Sequence, residues 1–460
     1  MAKKQLTTEE KLQAALVLEE EQPYKVPENW CWVRLGAITS IVGGGTPSSK
    51  VKEYYEDGTI PWLSPADLSG YEKIYISRGA KNITELGLEK SSAKLMPKDT
   101  VLLSSRAPIG YVAIAENEMC TNQGFKSFLP SPAYTPRYLY WYLRGAKNLL
   151  ESYASGTTFL ELSASKVAKV EFPLAPIEEQ SRIVARIESL FAKLDEAKGK
   201  IQEVLDGAEL RKAAILHQAF TGKLTEKWRK ENNISDDWQY KYLYQTDIDI
   251  IDGDRGKNYP KKEEFCNNGY CVFLNAKNVT KDGFCFEDVQ FISKEKDDIL
   301  RKGKLVKGDV VLTTRGTVGN IALYDSSVPY ENLRINSGMV IYRGGEDFFK
   351  PFLINLYKSS YIHNQIEKLK TGSAQPQLPI KVMRNLKLCI PTILEQQEIV
   401  RLLDNLLSNE QSTITACESA LDTIDTLKKS ILARAFRGEL GTNDPSEASA
   451  KELLQEILAG

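Results

Sequence analysis

Glu179-Gln180-Ser181-Arg182-Ile183-Val184 and Glu395-Gln396-Gln397-Glu398-Ile399-Val400 are two versions of one hexapeptide, 216 residues apart. Each opens a long run in which apolar residues step by fours and threes. In the first run these are Ile183, Ile187, Leu190, Leu194, Ala197, Ile201, Val204 and Ala208. In the second they are Ile399, Leu403, Leu406, Thr413, Cys417, Ala420, Ile424, Leu427 and Ile431, with Glu410 filling one step. That spacing is a heptad seam, so each run predicts an α-helix with a single apolar stripe. At 1.5 Å per residue, about 38 residues make a rod on the order of 57 Å long. Neither rod can cover its stripe alone. The two are expected to pack as an antiparallel coiled coil, because the globular stretch between them lets the chain return. The alternative is a pair of amphipathic struts, each folded onto its own domain.

Working outward, the duplication continues. Ala219-Phe220-Thr221-Gly222-Lys223-Leu224 recurs as Ala435-Phe436-Arg437-Gly438-Glu439-Leu440, and Gly156 and Leu162 recur as Gly372 and Leu378, all at 216 residues. Val101-Leu102-Leu103-Ser104-Ser105-Arg106 matches Val310-Val311-Leu312-Thr313-Thr314-Arg315 at 209 residues, as Gly110 matches Gly319. Such a period is far too long for a solenoid and means two domain-plus-helix copies. Residues 41–95 and 247–300 share almost nothing, which suggests one scaffold presenting two different binding surfaces.

The expected organisation is an N-terminal helix (1–23), a first strand-rich domain (24–178), a first long helix (179–230), a second domain (231–393), a second long helix (394–440) and a linker with a C-terminal helix (441–460). The fold class is α+β. Residues 7–21 read as a short acidic helix, and both end helices read as detachable docking pieces for partners. The domains open on aromatic runs, Pro27-Glu28-Asn29-Trp30-Cys31-Trp32 and Trp238-Gln239-Tyr240-Lys241-Tyr242, suited to strands. Residues 136–153 and 351–370 read as helices with proline in the first turn.

The 460 residues are 42% hydrophobic and 26% charged, enough for a real core in each half. Seven irregularly spaced cysteines without a CxxC suggest reduced thiols in a cytoplasmic protein. The N-terminus lacks the apolar region of a secretion signal, and no run is long enough to predict a membrane span. A net charge of −1 weighs mildly against nucleic-acid binding but does not exclude it, because basic groups can collect on one face.

Enzyme signatures are missing from the sequence. It has no GxGxxG, no P-loop and no Asn-Pro-Pro-aromatic tetrapeptide of an adenine methyltransferase. His217 and His363, the only histidines, both fall in helical patterns. Cys266, Cys271 and Cys285 have poor spacing for zinc and read as scattered thiols. No metal site and no catalytic residue is expected.

The blocks PENWCWVRLG, LAPIEEQSRIVARIESLFAKLDEA, LRKAAILHQAFTGKLTEKWRK and LKKSILARAFRGEL, in the order variable domain, helix, variable domain, helix, resemble Type I restriction-modification specificity subunits. The resemblance covers residues 24–440. It implies that each variable domain is a target-recognition domain reading half of a bipartite double-stranded DNA site. It also implies that the helices set the distance between the half-sites. Partners would be two adenine methyltransferase subunits using S-adenosylmethionine and two helicase-nuclease restriction subunits using ATP with Mg. No cofactor is expected in this chain. A DNA-recognition subunit of a related methylation-based phage-defence system, or a two-domain coiled-coil protein-binding scaffold, are the alternatives.

Residues that touch DNA should sit on glycine-bounded loops of a rigid frame. In the first domain the candidates are Thr46, Ser48 and Lys50, then Arg106, Lys126, Thr157 and Thr158. In the second they are Arg255, Lys257, Asn258 and Tyr259, then Arg315, and Ser373, Gln375 and Gln377. Arginine suits guanine, and asparagine or glutamine suits adenine. Arg106 and Arg315 recur in both halves, which favours phosphate contact or loop support over base choice.

Overall fold

Gln180 and Gln396 give the physical reason for the repeated hexapeptide. In the computed structural model, which describes residues 7–106, 108–156, 160–372 and 375–459, both side chains are fully buried. Gln180 Nε2 donates to the carbonyls of Ala133 (2.9 Å) and Ala175 (3.0 Å), and its Oε1 accepts from the Thr135 N–H (2.8 Å). Gln396 repeats the set with the carbonyls of Asp347 (2.8 Å) and Pro391 (2.9 Å) and the Phe349 N–H (2.8 Å). An apolar replacement would orphan three buried backbone groups. Glu179 accepts from Trp30 Nε1 (2.6 Å) and Asn443 Nδ2 (2.8 Å), and Glu395 from Trp238 Nε1 (3.1 Å), Thr225 Oγ1 (2.6 Å) and an Arg229 guanidinium nitrogen (2.6 Å). Each glutamate therefore ties the tryptophan that opens its domain to the chain that follows the opposite long helix.

The chain forms two compact units, Met1–Lys200 with Ala420–Gly460, and Ile201–Ser419. In the first, a five-stranded sheet has the spatial order Ile41–Gly43, Phe125–Phe128, Val101–Ser105, Ile109–Ala115, Tyr75–Ile76. A three-stranded sheet has the order Lys81–Ile83, Ile60–Leu63, Cys120–Thr121, the last pair parallel. Cys31–Arg34 pairs with Glu171–Leu174. In the second unit the orders are Ile248–Asp252, Met339–Gly344, Val310–Thr313, Ile321–Leu323, and Phe291–Ile292, Cys271–Leu274, Leu333–Ile335, again with the last pair parallel. Gln239–Tyr242 pairs with Lys387–Ile390. From the stretches 41–95 and 247–300, unlike in sequence, Ile41–Gly43, Ile60–Leu63 and Lys81–Ile83 thus match Ile248–Asp252, Cys271–Leu274 and Phe291–Ile292, whereas Tyr75–Ile76 has no counterpart and Val279–Thr280 pairs with Gly283–Phe284 only in the second. Strand formation demands an apolar pattern, not particular residues.

The first long helix departs from the expectation. It runs Ile177–Asp206, stops at Gly207, and resumes as Ala208–Phe220, whereas Ile393–Ala435 is continuous over 43 residues. A Cβ on Gly207 would lie 2.6 Å from the Arg211 guanidinium, which reaches across it to the Val204 carbonyl (2.7 Å) and Glu410 (2.7 Å). Within the second unit the helices run antiparallel, with Arg211 on Glu410 and Arg229 on Glu395. Within the first they do so too, with Asp195 on Lys428 (2.5 Å) and Arg182 on the Thr442 carbonyl (3.0 Å) and Glu447 (2.7 Å).

In the second helix the seam is also one residue out of the expected phase at some steps. Ile183, Ile187, Ile399, Leu403 and Ile424 are buried, and Leu190, Leu194, Ile201 and Ile431 half-buried. Leu406 and Leu427, however, are 37% and 44% exposed. The covered side of the second helix follows Leu403, Leu407, Glu410, Ile414, Cys417, Leu421, Ile424, Lys428 and Ile431. Both phases share the positions Leu403, Glu410, Cys417, Ile424 and Ile431. The aliphatic Leu407 and Ile414 outcompete Leu406 and Thr413 for the facing side, and Leu421 is half-buried beside an equally half-buried Ala420. The ends of the seam also serve the domains: Ile183 and Ile187 join one core with Leu432 and Phe436, and Ile399 and Leu403 join another with Ala219 and Phe220.

The terminal helices are docked rather than detached. Thr8–Ala15, capped by Thr7, is shorter than expected and packs on Ala450–Ala459; Leu12, Ala15 and Leu454 enter the first core, and Lys11 Nζ donates to the Leu458 carbonyl (3.1 Å). No helix among the described residues is long and apolar enough to cross a membrane.

Candidate nucleic-acid interface

In each unit the end of an inner strand of the larger sheet carries the same backbone device. Strand Val101–Ser105 ends at Arg106. Its last residue is fixed on both sides: Ser105 N–H donates to the Gly124 carbonyl (2.7 Å), and the Ser105 carbonyl accepts from Leu162 N–H (2.9 Å). Ser155 and Glu161 exchange backbone hydrogen bonds (3.1 and 2.9 Å), closing a loop at the base of which Arg106 bridges to Glu161. In the second unit Thr314 N–H meets the Gly338 carbonyl (2.8 Å), Leu378 N–H meets the Thr314 carbonyl (2.9 Å), Thr371 and Gln377 exchange bonds (2.8 and 2.9 Å), and Arg315 bridges to Gln377. The paired glycines have a shared cause. Gly110 and Gly319 lie at φ +102° and +97°, and Gly156 and Gly372 at +121° and +83°, a region costly for other residues.

A second brace follows the parallel strand. Asn122 Oδ1 accepts from Gly124 N–H (2.8 Å) and Asn336 Oδ1 from Gly338 N–H (2.9 Å), which holds the intervening Gln123 or Ser337 at the surface edge. Gly44 and Gly253 run tight against these turns: an added Cβ would lie 2.0 Å from the Asn122 carbonyl oxygen and 2.2 Å from that of Asn336. Two residues after each glycine comes a side chain that meets the turn, Thr46 Oγ1 on Gln123 Oε1 and the Arg255 guanidinium on the Ser337 carbonyl (3.2 Å). Thr46 and Arg255 therefore occupy equivalent positions. Sequence reasoning passed over Gln123 and Ser337; their signal was the Asn-x-Gly turn repeated at 122–124 and 336–338.

The candidates divide accordingly. In the first unit Thr46, Arg106 and Lys126 are brought to one edge. Lys126 Nζ donates to Ser105 Oγ (3.3 Å) and to the Gln123 carbonyl (3.4 Å). Its burial lowers the amine below the usual lysine range; Glu161 opposes this shift and Arg106 adds to it. Ser48 and Lys50 are exposed farther along the loop from Thr46. Thr157 and Thr158 fall outside the described residues, as does Ser373.

In the second unit Arg255, Arg315, Gln375 and Gln377 belong to the equivalent edge, with Arg255 also on Asp252 (3.1 Å). The loop of Arg255 is frozen by Asp254. Its carboxylate accepts from the N–H groups of Gly256 (2.9 Å) and Arg301 (2.9 Å), which hold it below the usual carboxylate range. Lys257 is exposed and Asn258 half-buried. Tyr259 is half-buried: its ring packs edge-on against Phe273 at 5.6 Å beside a small core, where the 256–259 turn places it. Among the described residues no group of three His, Cys, Asp or Glu side chains could hold a metal ion.

Residues 27–206 and 237–418 each match the family model for the Type I restriction modification DNA specificity domain. The chain belongs to that family and carries two copies of the domain. It is 36% identical over 327 residues to the specificity subunit of the Type I restriction enzyme MjaIX of Methanocaldococcus jannaschii, covering 66% of this chain and 74% of that one. It is 23% identical over 460 residues to the EcoKI specificity subunit of Escherichia coli K12, covering 95% and 96%. The HsdS subunit of Thermoanaerobacter tengcongensis shares the fold, with a TM-score of 0.64 at 20% identity over 91% of this chain and 99% of that one.

Proposed function

We propose that this chain reads a bipartite, asymmetric double-stranded DNA site, one half with each unit, and directs modification and restriction subunits to it. One observation carries the reading. The edge built on Arg106 and the Ser155–Glu161 bridge recurs as Arg315 and the Thr371–Gln377 bridge, while the side chains beside it differ. The shared arginines suit phosphate oxygens, which look alike on every sequence. The unshared Thr46, Gln123 and Lys126, against Arg255, Ser337 and Gln377, suit base edges in the major groove. The chain positions and specifies, and makes or breaks no bond. Chemistry would come from two adenine methyltransferase subunits with S-adenosylmethionine and two helicase-nuclease subunits with ATP and Mg.

Selection from random duplex DNA by the chain with its methyltransferase partner tests this. Two enriched blocks separated by a fixed spacer are expected. A single contiguous block, or no enrichment, would contradict it. Four residues inserted in both long helices add about 6 Å and should lengthen the preferred spacer by about one or two base pairs.

A further inference from the structure

The two units differ at a second place, a groove between the end of a long helix and the two-stranded sheet. In the first unit this groove is filled from within the chain. The Tyr24 ring meets Trp32 edge-on at 4.9 Å, the Arg437 guanidinium lies 5.1 Å from that ring, and Trp32 Nε1 donates to the Tyr24 carbonyl (3.0 Å). Just before Pro23 and Tyr24 comes the acidic turn Glu19–Glu21, tied down by Glu21 on Arg34 (2.6 Å). A residual cavity of about 190 Å³ is left beside Pro23 and Tyr24.

In the second unit Leu216, His217 and Phe220 stand where Leu432, Ala433 and Phe436 stand in the first. Tyr240, paired with Cys389, stands where Trp32 is paired with Pro173. Here the groove is open, about 600 Å³, and Tyr240 is 52% exposed. Its charge is also changed. Lys387 occupies the strand position of Glu171, with its ammonium 5.4 Å from the Tyr240 ring, and Lys368 lines the same groove. Gln365 holds the Lys387 backbone by two hydrogen bonds (2.8 and 3.0 Å), so this lysine is presented by a fixed edge.

We propose that the groove of the second unit docks an extended, acidic segment of a partner polypeptide, anchored by an aromatic ring after a proline. The first unit shows the mode, since Pro23 and Tyr24 fill the equivalent place there, with the exposed acidic turn Glu19–Glu21 just before them and Glu21 on Arg34. An aromatic ring would cover Tyr240 and Phe220, and carboxylates would meet Lys368 and Lys387.

A labelled peptide of residues 18–25 (LEEEQPYK) is the probe, read by fluorescence anisotropy against the full chain. Saturable one-to-one binding is expected. It should weaken at least about tenfold in the K368E/K387E variant, whose folding is checked by circular dichroism. A peptide with lysines replacing its three glutamates should bind that variant better than the unaltered chain. Absence of saturable binding overturns the proposal. So does binding that survives K368E/K387E, which places the peptide in the first unit by exchange with Tyr24. Displacement of the peptide by a short DNA duplex, with K368E/K387E weakening the duplex instead, assigns the surface to nucleic acid and overturns it as well.

Discussion

Where the first unit sets Thr46 against Gln123, the second sets Arg255 against Ser337, although the chain reaches both places by one path. Gly44 and Gly253 approach the same turn, Asn122 and Asn336 brace it, and Gly124 and Gly338 bond the same strand end. The path is therefore fixed by backbone hydrogen bonds, by the Asn122 and Asn336 side chains and by the absence of a Cβ, not by Thr46, Gln123, Arg255 or Ser337. Those side chains are free to change without refolding the domain.

The largest effect expected from breaking the comparison is on stability. Glu395→Ala strands the buried Arg229 guanidinium and should cost about 3 kcal/mol in the second unit, even with Asp236 still in reach. Glu179→Ala leaves only neutral donors behind and should cost about 1–2 kcal/mol in the first. Denaturant curves that show equal losses would remove the charge asymmetry. Next comes base choice. Arg255→Ala should lose about 1–3 kcal/mol of discrimination at one position of one half-site, and Gln123→Ala should act only on the other half. Competition binding with single-base variants measures both.

Arg106→Ala and Arg315→Ala should weaken all sequences alike and lower the salt slope by about one each, with base preference unchanged. The smallest effect sharpens the seam. Leu406→Ala and Leu427→Ala should stay within about 0.5 kcal/mol, while Leu407→Ala should cost about 1 kcal/mol or more. The reverse order in thermal melts would restore the other phase.

What could be read from sequence follows where physics demands a particular residue. Gln180 and Gln396 are irreplaceable amides, and Gly110, Gly319, Gly156 and Gly372 sit at positive φ, so all recur and mark the duplication. The strands Ile60–Leu63 and Cys271–Leu274 need only be apolar, so their equivalence was hidden. Steps of the second helix's seam fall one residue from the expected ones because both phases pass through Glu410, Cys417 and Ile424. Gln123 escaped notice because its partner, Thr46, is 77 residues away. The inward turn of Tyr259 depends on Phe273, again remote in sequence. The docking of the end helices on each other joins residues 447 apart, beyond any local pattern.

The central claim, that each unit independently reads its own stretch of duplex, is tested most directly by a hybrid chain. Residues 237–392 are replaced by the equivalent domain of another family member, and methylated adenines are mapped across the genome of cells expressing the hybrid with its methyltransferase. The account predicts that one half of the recognised site changes while the other half stays as it was. A site altered in both halves, or in neither, would contradict it.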